Sequence, residues 1–164
     1  MKIDLGTAII GSIVILICVI PFVVIHFKKL KKENKILQQL NDLATQNHSK
    51  ISQHEFCGDF VLGVDEHKKF VYFLKFQKEE ATPEFVNLSE IQKCQIFQKT
   101  KTAKGSSGNF EHTEHLNLDF IRKNKIEEVL KFELYDEEKN RELSGEIQFA
   151  EKWVIKINDL LQNN

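Results

Sequence analysis

The sequence predicts an N-terminal transmembrane helix and a helical stalk, followed by a mainly-β domain, an antiparallel bent sheet or barrel that a C-terminal amphipathic helix completes. Three observations carry this reading. Leu5–Phe27 contains no Asp, Glu, Lys or Arg. After Ser49 the apolar residues alternate in short runs of period two, the spacing of half-buried strands. From Ser144 onward they recur at steps of three and four, the spacing of a helix with one apolar face.

The apolar stretch is long enough to cross a bilayer, since its residues would extend roughly 34 Å at about 1.5 Å each, against a hydrocarbon core of about 30 Å. Fifteen of them are Ile, Val, Leu or Phe. Each of these favours insertion by about 0.3–0.6 kcal/mol near the bilayer centre. Pro21 is compatible with a kinked membrane helix. A cleaved signal peptide fits less well, because the head is only MKID, the apolar run is long and its end, PFVVIHF, offers no small-residue cleavage site. Lys28, Lys29, Lys31, Lys32 and Lys35 follow the stretch with Glu33 alone opposing them, whereas Lys2 before it is offset by Asp4. The positive-inside rule then predicts a single-pass membrane protein with its C-terminal domain on the cytoplasmic side and the lipid bilayer as a partner through Leu5–Phe27. The pairs Thr7/Gly11 and Ala8/Ser12 permit close helix approach and open a route to a homodimer through the span.

The expected division is residues 1–27 as anchor, 28–48 as helical stalk and 50–164 as folded domain. In the stalk, Leu30, Ile36, Leu37, Leu40, Leu43 and Ala44 recur with helical spacing. Leu30, Leu37 and Ala44 lie seven apart, but a coiled coil needs about three to four heptads, so a plain stalk and a dimerising one both stay open.

Eleven of the thirteen Phe residues lie after residue 50, which gives that region enough apolar surface to fold. DFVLGVD and KKFVYFLKF flank a polar turn at Glu66-His67-Lys68 and read as a β-hairpin. EFVNL adds a short strand. KCQIFQKTK follows a turn at Leu88–Ile91, and HLNLDFIRK and VLKFELYD give two more strands around a break at Asn124-Lys125. In the last segment Ile147, Ala150, Val154, Ile157 and Leu161 form one apolar stripe with Trp153 and Leu160 beside it, and Ser144 stands as N-cap. The stripe must be buried on the sheet, so Trp153 is expected in the core.

Five or six antiparallel strands followed by a Trp-bearing helix resemble the pleckstrin-homology-like superfold, here in a small bacterial single-span membrane protein. AEKWVIKINDLL is similar to that family's terminal helix, with Trp153 at the matching place, and FVLGVDEHKKFVYFLK is similar to its first hairpin. The resemblance covers about residues 56–162. It implies a helix that plugs one end of a bent barrel, and peptide binding at an exposed strand edge or beside the terminal helix. Phosphoinositide binding does not carry over, because Asp65 and Glu66 offset Lys68 and Lys69 in the first hairpin.

The net charge of -1 gives no basic excess for nucleic acid. Cys18, Cys57 and Cys94 form no CxxC pair and no disulfide framework. His54 with Cys57 (H-x2-C) and His112 with His115 (H-x2-H) could supply four ligands to a zinc ion, though on separate segments and without the usual spacings. Cys57 near His54 could be an activated thiolate, but CGDF reads better as the opening of a strand. AKGSSGN at 103–109 lacks the Gly-Lys of a P-loop and reads as a hairpin loop, beside Lys99, Lys101 and Lys104. Acidic pairs at Glu79-Glu80, Glu127-Glu128 and Asp136–Glu138 read as solvated turns. No catalytic, cofactor-binding or metal residue stands out. The expectation is a membrane-tethered binding or scaffolding module, without catalytic activity or cofactor, for a protein partner. The alternatives are a structural subunit of a larger membrane complex and a metal-dependent enzyme.

Overall fold

The computed structural model describes residues 5–77, 80–105, 108–124, 129–139 and 142–162, with side chains for 17–76, 83–102, 111–124, 129–139 and 142–162. One helix, α1, runs Leu5–Gln46 with Pro21 inside it. It stops without a glycine. His48 takes the left-handed conformation (φ 53°), and the N–H groups of Ser49 and His48 bond back to the carbonyls of Ala44 and Thr45, both at 2.9 Å. This is the 6→1 and 5→2 pattern of a Schellman cap. The chain divides into two units, Met1–Gln39 and Leu40–Asn164, so the last turns of α1 belong with the β structure.

The expected membrane span at Leu5–Phe27 is overturned. Among the described residues no helix is long and apolar enough to cross a membrane. The described side chains begin at Ile17, and from there only Ile17–Phe27 precede Lys28, Lys29, Lys31 and Lys32 on the same helix. These eleven residues rise roughly 16 Å, half of what a bilayer core needs. A lysine at its centre costs about 2.5–3.5 kcal/mol. The rest of the expected span, 5–16, lies outside the described side chains. The single-pass placement with a cytoplasmic C-terminal domain rested on that span and falls with it.

The second unit holds seven strands and one helix. β1 (Gln53–Cys57), β2 (Phe60–Asp65), β3 (Phe70–Gln77) and β4 (Glu80–Asn87) form an antiparallel sheet in sequential order. After a 3₁₀ turn at Leu88–Glu90, β5 (Ile91–Gly105), β6 (Gly108–Arg122) and β7 (Val129–Asp136) form a second one. α2 (Glu146–Gln162) follows. The hairpin read in the sequence is β2–β3. β1 went unread because QHEFC has too few apolar residues to alternate.

An aromatic chain joins the layers. Phe60 meets Phe73 at 5.4 Å and Phe149 at 5.1 Å between ring centroids; Phe132 meets Phe73 and Phe120 at 4.9 Å each; Phe149 meets Trp153 at 5.8 Å. Both sheets and α2 therefore contribute to one core. Trp153 is 3% exposed, as the stripe requires. The stripe is turned slightly from the expected one: Phe149, Ala150, Trp153 and Ile157 are buried, while Ile147, Val154 and Leu161 are only partly so. The helix starts at Glu146, one residue later than a Ser144 cap implies. Instead the Ser144 hydroxyl donates to the Glu146 carboxylate at 3.0 Å, and Phe149 N–H closes on Gly145 at 3.0 Å.

At its centre, along β2 and the middle of β3, the first sheet is buried on both faces. Every residue of β2 is buried, and so are Tyr72 and Leu74, which point away from the aromatic core. The cover is local to this unit. A side chain at Gly63 would place its Cβ 3.0 Å from Leu40 and 3.2 Å from Ile51. Only glycine lets the end of α1 lie this close to the strand.

Candidate functional site

The residues that suggested metal chemistry stay apart. His54 and Cys57 lie on β1, in one sheet, and His112 and His115 on β6, in the other. His54 stands edge-on to Phe56 at 5.9 Å. His112 Nε2 lies 3.0 Å from Glu137, and His115 Nδ1 lies 3.6 Å from Asp136. Among the described residues no group of three or more His, Cys, Asp or Glu could hold a metal.

Neither described cysteine of this unit is a nucleophile at neutral pH. Burial, with Glu146, Glu55 and Asp59 nearby, pushes the Cys57 thiol up to about 11. Burial and Asp119 push Cys94 up to about 12. The Gly/Ser-rich stretch closes the β5–β6 hairpin between Gly105 and Gly108; residues 106–107 and the Lys104 side chain lie outside what is described. Lys99, next to it, is paired with Glu114 at 2.8 Å.

The turn at Glu66-His67-Lys68 is built around Asp65, which is 3% exposed. Its carboxylate accepts from Ser49 Oγ at 2.6 Å and from the N–H groups of Lys50, His67 and Lys68 at 2.9 Å each. Burial opposes its ionisation, but these donors outweigh it and hold the carboxyl at about 2. Through these bonds Asp65 ties the end of α1 to the β2–β3 turn.

Among the described residues, one open backbone edge beside a groove is the outer edge of β5 next to α2. β5 pairs with β6 on one side, and among the described residues no strand pairs with its other side. At Cys94 that side meets α2. The Cys94 N–H donates to Asn158 Oδ1 at 3.0 Å, and Asn158 Nδ2 donates to the Cys94 carbonyl at 2.8 Å and the Val154 carbonyl at 2.9 Å. The two acceptors on Nδ2 fix which way round the amide sits. The N–H and C=O of a strand residue point to the same side and alternate along the strand. Since those of Cys94 point toward α2, those of Ile96 and Gln98 do too. The register with β6 is regular from Lys93 to Lys99, so the alternation holds over that window. At its start a groove of about 670 Å³ is lined by Gln92, Lys93, Ile121, Asn158, Leu161 and Gln162.

This arrangement can pair with an extended backbone. Sequence reasoning missed Asn158, and only its place on the apolar side of α2, one residue after the buried Ile157, hinted at a backbone contact. No known family model, curated protein or solved structure matches the chain.

Proposed function

We propose that Leu40–Asn164 is a non-catalytic binding module of the pleckstrin-homology-like kind, which takes an extended peptide segment of a protein partner as an added strand on β5. The observation that carries this is the outward backbone of Ile96 and Gln98 on an edge flanked by α2. A row of this kind is a template for strand addition, in which main-chain hydrogen bonds give affinity and alternate side chains give specificity. The four-plus-three arrangement of strands, followed by a helix with a buried Trp, supports the kinship.

The test uses the full chain. A displayed library of random peptides is selected on it, and enriched peptides are titrated into isotopically labelled protein while backbone amide shifts are followed. The reading expects the largest changes at Ile96, Gln98 and their β5 neighbours. Enriched peptides that leave β5 unmoved would sink it.

A second reading, a structural subunit of a larger assembly, is favoured by α1. Phe22, Ile17 and Ile25 are 76%, 66% and 64% exposed, and a contiguous apolar surface of this kind marks an interaction site. Native mass measurement of the full chain from its source would show such an assembly directly.

A further inference from the structure

We infer that Asn158 sets the register of strand addition on β5: its side-chain amide occupies the pairing position at Cys94 as a surrogate strand residue, so that an incoming segment pairs at Ile96 and Gln98 and stops there. This rests on the strand-addition reading and adds to it both a register and a ligand chemistry. An amide that accepts from one residue's N–H and donates to the same residue's C=O reproduces what a neighbouring strand offers. The Val154 carbonyl takes its second proton, so the amide is held from two sides and is not easily displaced.

The ligand chemistry follows from the strand. From Ile91 to Thr102, β5 carries Lys93, Lys99 and Lys101 and no carboxylate. Lys93 and Lys99 share the face of Gln95 and Phe97, because side chains alternate; Lys99 is already held by Glu114 at 2.8 Å and Asp119 stands opposite Gln95, so Lys93, at the start of the open stretch, is the cation left for a ligand. On the opposite face Ile96 packs against the core. An added strand has the same alternation, so it would place one set of side chains on the face of Lys93 and the other set toward Ile96. The segment that fits is extended, with acidic and apolar residues in alternation.

The experiment follows amide hydrogen exchange in the full chain, alone and with a short synthetic peptide alternating valine and glutamate, or valine and lysine as control. Without peptide, the Cys94 amide should be protected in the wild type and lose about three- to tenfold of that protection in Asn158→Ala, the range expected for one net hydrogen bond. The valine–glutamate peptide should protect Ile96 and Gln98 and leave Cys94 unchanged in the wild type. In Asn158→Ala it should protect Cys94 as well. Asn158→Asp, which keeps the acceptor and loses the donor, should retain protection of the Cys94 amide, and it serves if the alanine variant does not fold. The valine–lysine peptide should bind more weakly, on the order of tenfold.

Peptide-induced protection that includes Cys94 in the wild type overturns the register. Equal binding of the lysine peptide overturns the acidic chemistry. If neither peptide moves any β5 amide in any variant, the strand-addition reading fails and this inference with it.

Discussion

Gly63 offers the sharpest test of how the end of α1 is joined to the β structure. Its Cβ, if present, would stand 3.0 Å from Leu40 Cδ2 and 3.2 and 3.3 Å from Ile51 Cγ2 and Cδ1. Carbon atoms prefer about 3.5–4.0 Å. Leu40 is fully buried and has little room to retreat. Overpacking of this kind costs about 1–3 kcal/mol, while replacing a strand glycine recovers roughly 0.5–1 kcal/mol of conformational entropy. Gly63→Ala should therefore destabilise by about 1–2 kcal/mol. Leu40→Ala alone should cost about 2–5 kcal/mol as a buried large-to-small change. The two should not add. Leu40→Ala removes the nearest obstructing atom but leaves Ile51 Cγ2 and Cδ1 at 3.2 and 3.3 Å, so in that background Gly63→Ala should cost less than in the wild type, a coupling on the order of 1 kcal/mol. Denaturant titration of the full chain followed by Trp153 fluorescence measures all four corners of the cycle, since Trp153 is the only Trp. If Gly63→Ala is as stable as wild type in both backgrounds, the end of α1 does not lie on β2 as described.

Trp153→Ala should cost about 3–5 kcal/mol through lost burial and a residual cavity, read by circular dichroism because the fluorophore is gone, whereas His112→Ala and His115→Ala should move the midpoint little. Asp65 has its carboxyl lowered to about 2 from 3.8, so it contributes fully above about pH 4 and loses that contribution as pH falls toward 2, some 2 kcal/mol in all. Asp65→Asn should be less stable at neutral pH and should flatten the wild-type decline over that window, which acid titration at fixed denaturant would show. Cys57 and Cys94, with thiols pushed to about 11 and 12, should resist iodoacetamide at pH 8 until the chain is unfolded, while the exposed Cys18 should be alkylated at once. Peptide mapping by mass spectrometry distinguishes the three, and rapid native labelling of Cys94 would contradict its burial.

The strands with clean alternation were legible, because DFVLGVD, KKFVYFLKF and VLKFELYD state their own period. So was the terminal helix with its buried Trp153. The errors trace to features that periodicity does not encode. The apolar run at Leu5–Phe27 was read as a span, although from Ile17 the same helix soon enters a lysine cluster. The stop of α1 was blurred because a histidine, not a glycine, takes the left-handed cap. Leu40 and Ala44 looked like positions of a free stalk but are 0% and 1% exposed, within the second unit. The alternation of β3 marked two faces but not that both would be covered. At the candidate site, nothing local distinguishes Asn158 from any other polar residue on α2; its role depends on Cys94, sixty-four positions away in the chain.

That long-range contact belongs to a wider problem. Among the described residues the two sheets leave four edge strands, β1, β4, β5 and β7, and unprotected edges invite aggregation. β4 carries Pro83 opposite Leu74, and proline removes a ladder donor. β7 is met by Lys75, whose ammonium donates to the Glu133 carbonyl at 3.3 Å and to its carboxylate at 2.8 Å. β1 is lashed to α2 through Glu55, which accepts from Trp153 Nε1 at 2.9 Å and Lys152 at 2.8 Å. Among the described residues β5 is met by Asn158 at Cys94, and the next two outward positions lie in a regular ladder. An edge sealed at every outward position would be only protected, and one sealed nowhere would accept strands in any register. One amide at the start of the edge does neither: on the strand-addition proposal it leaves a short template with a defined beginning, which is what selective recognition of an extended segment requires.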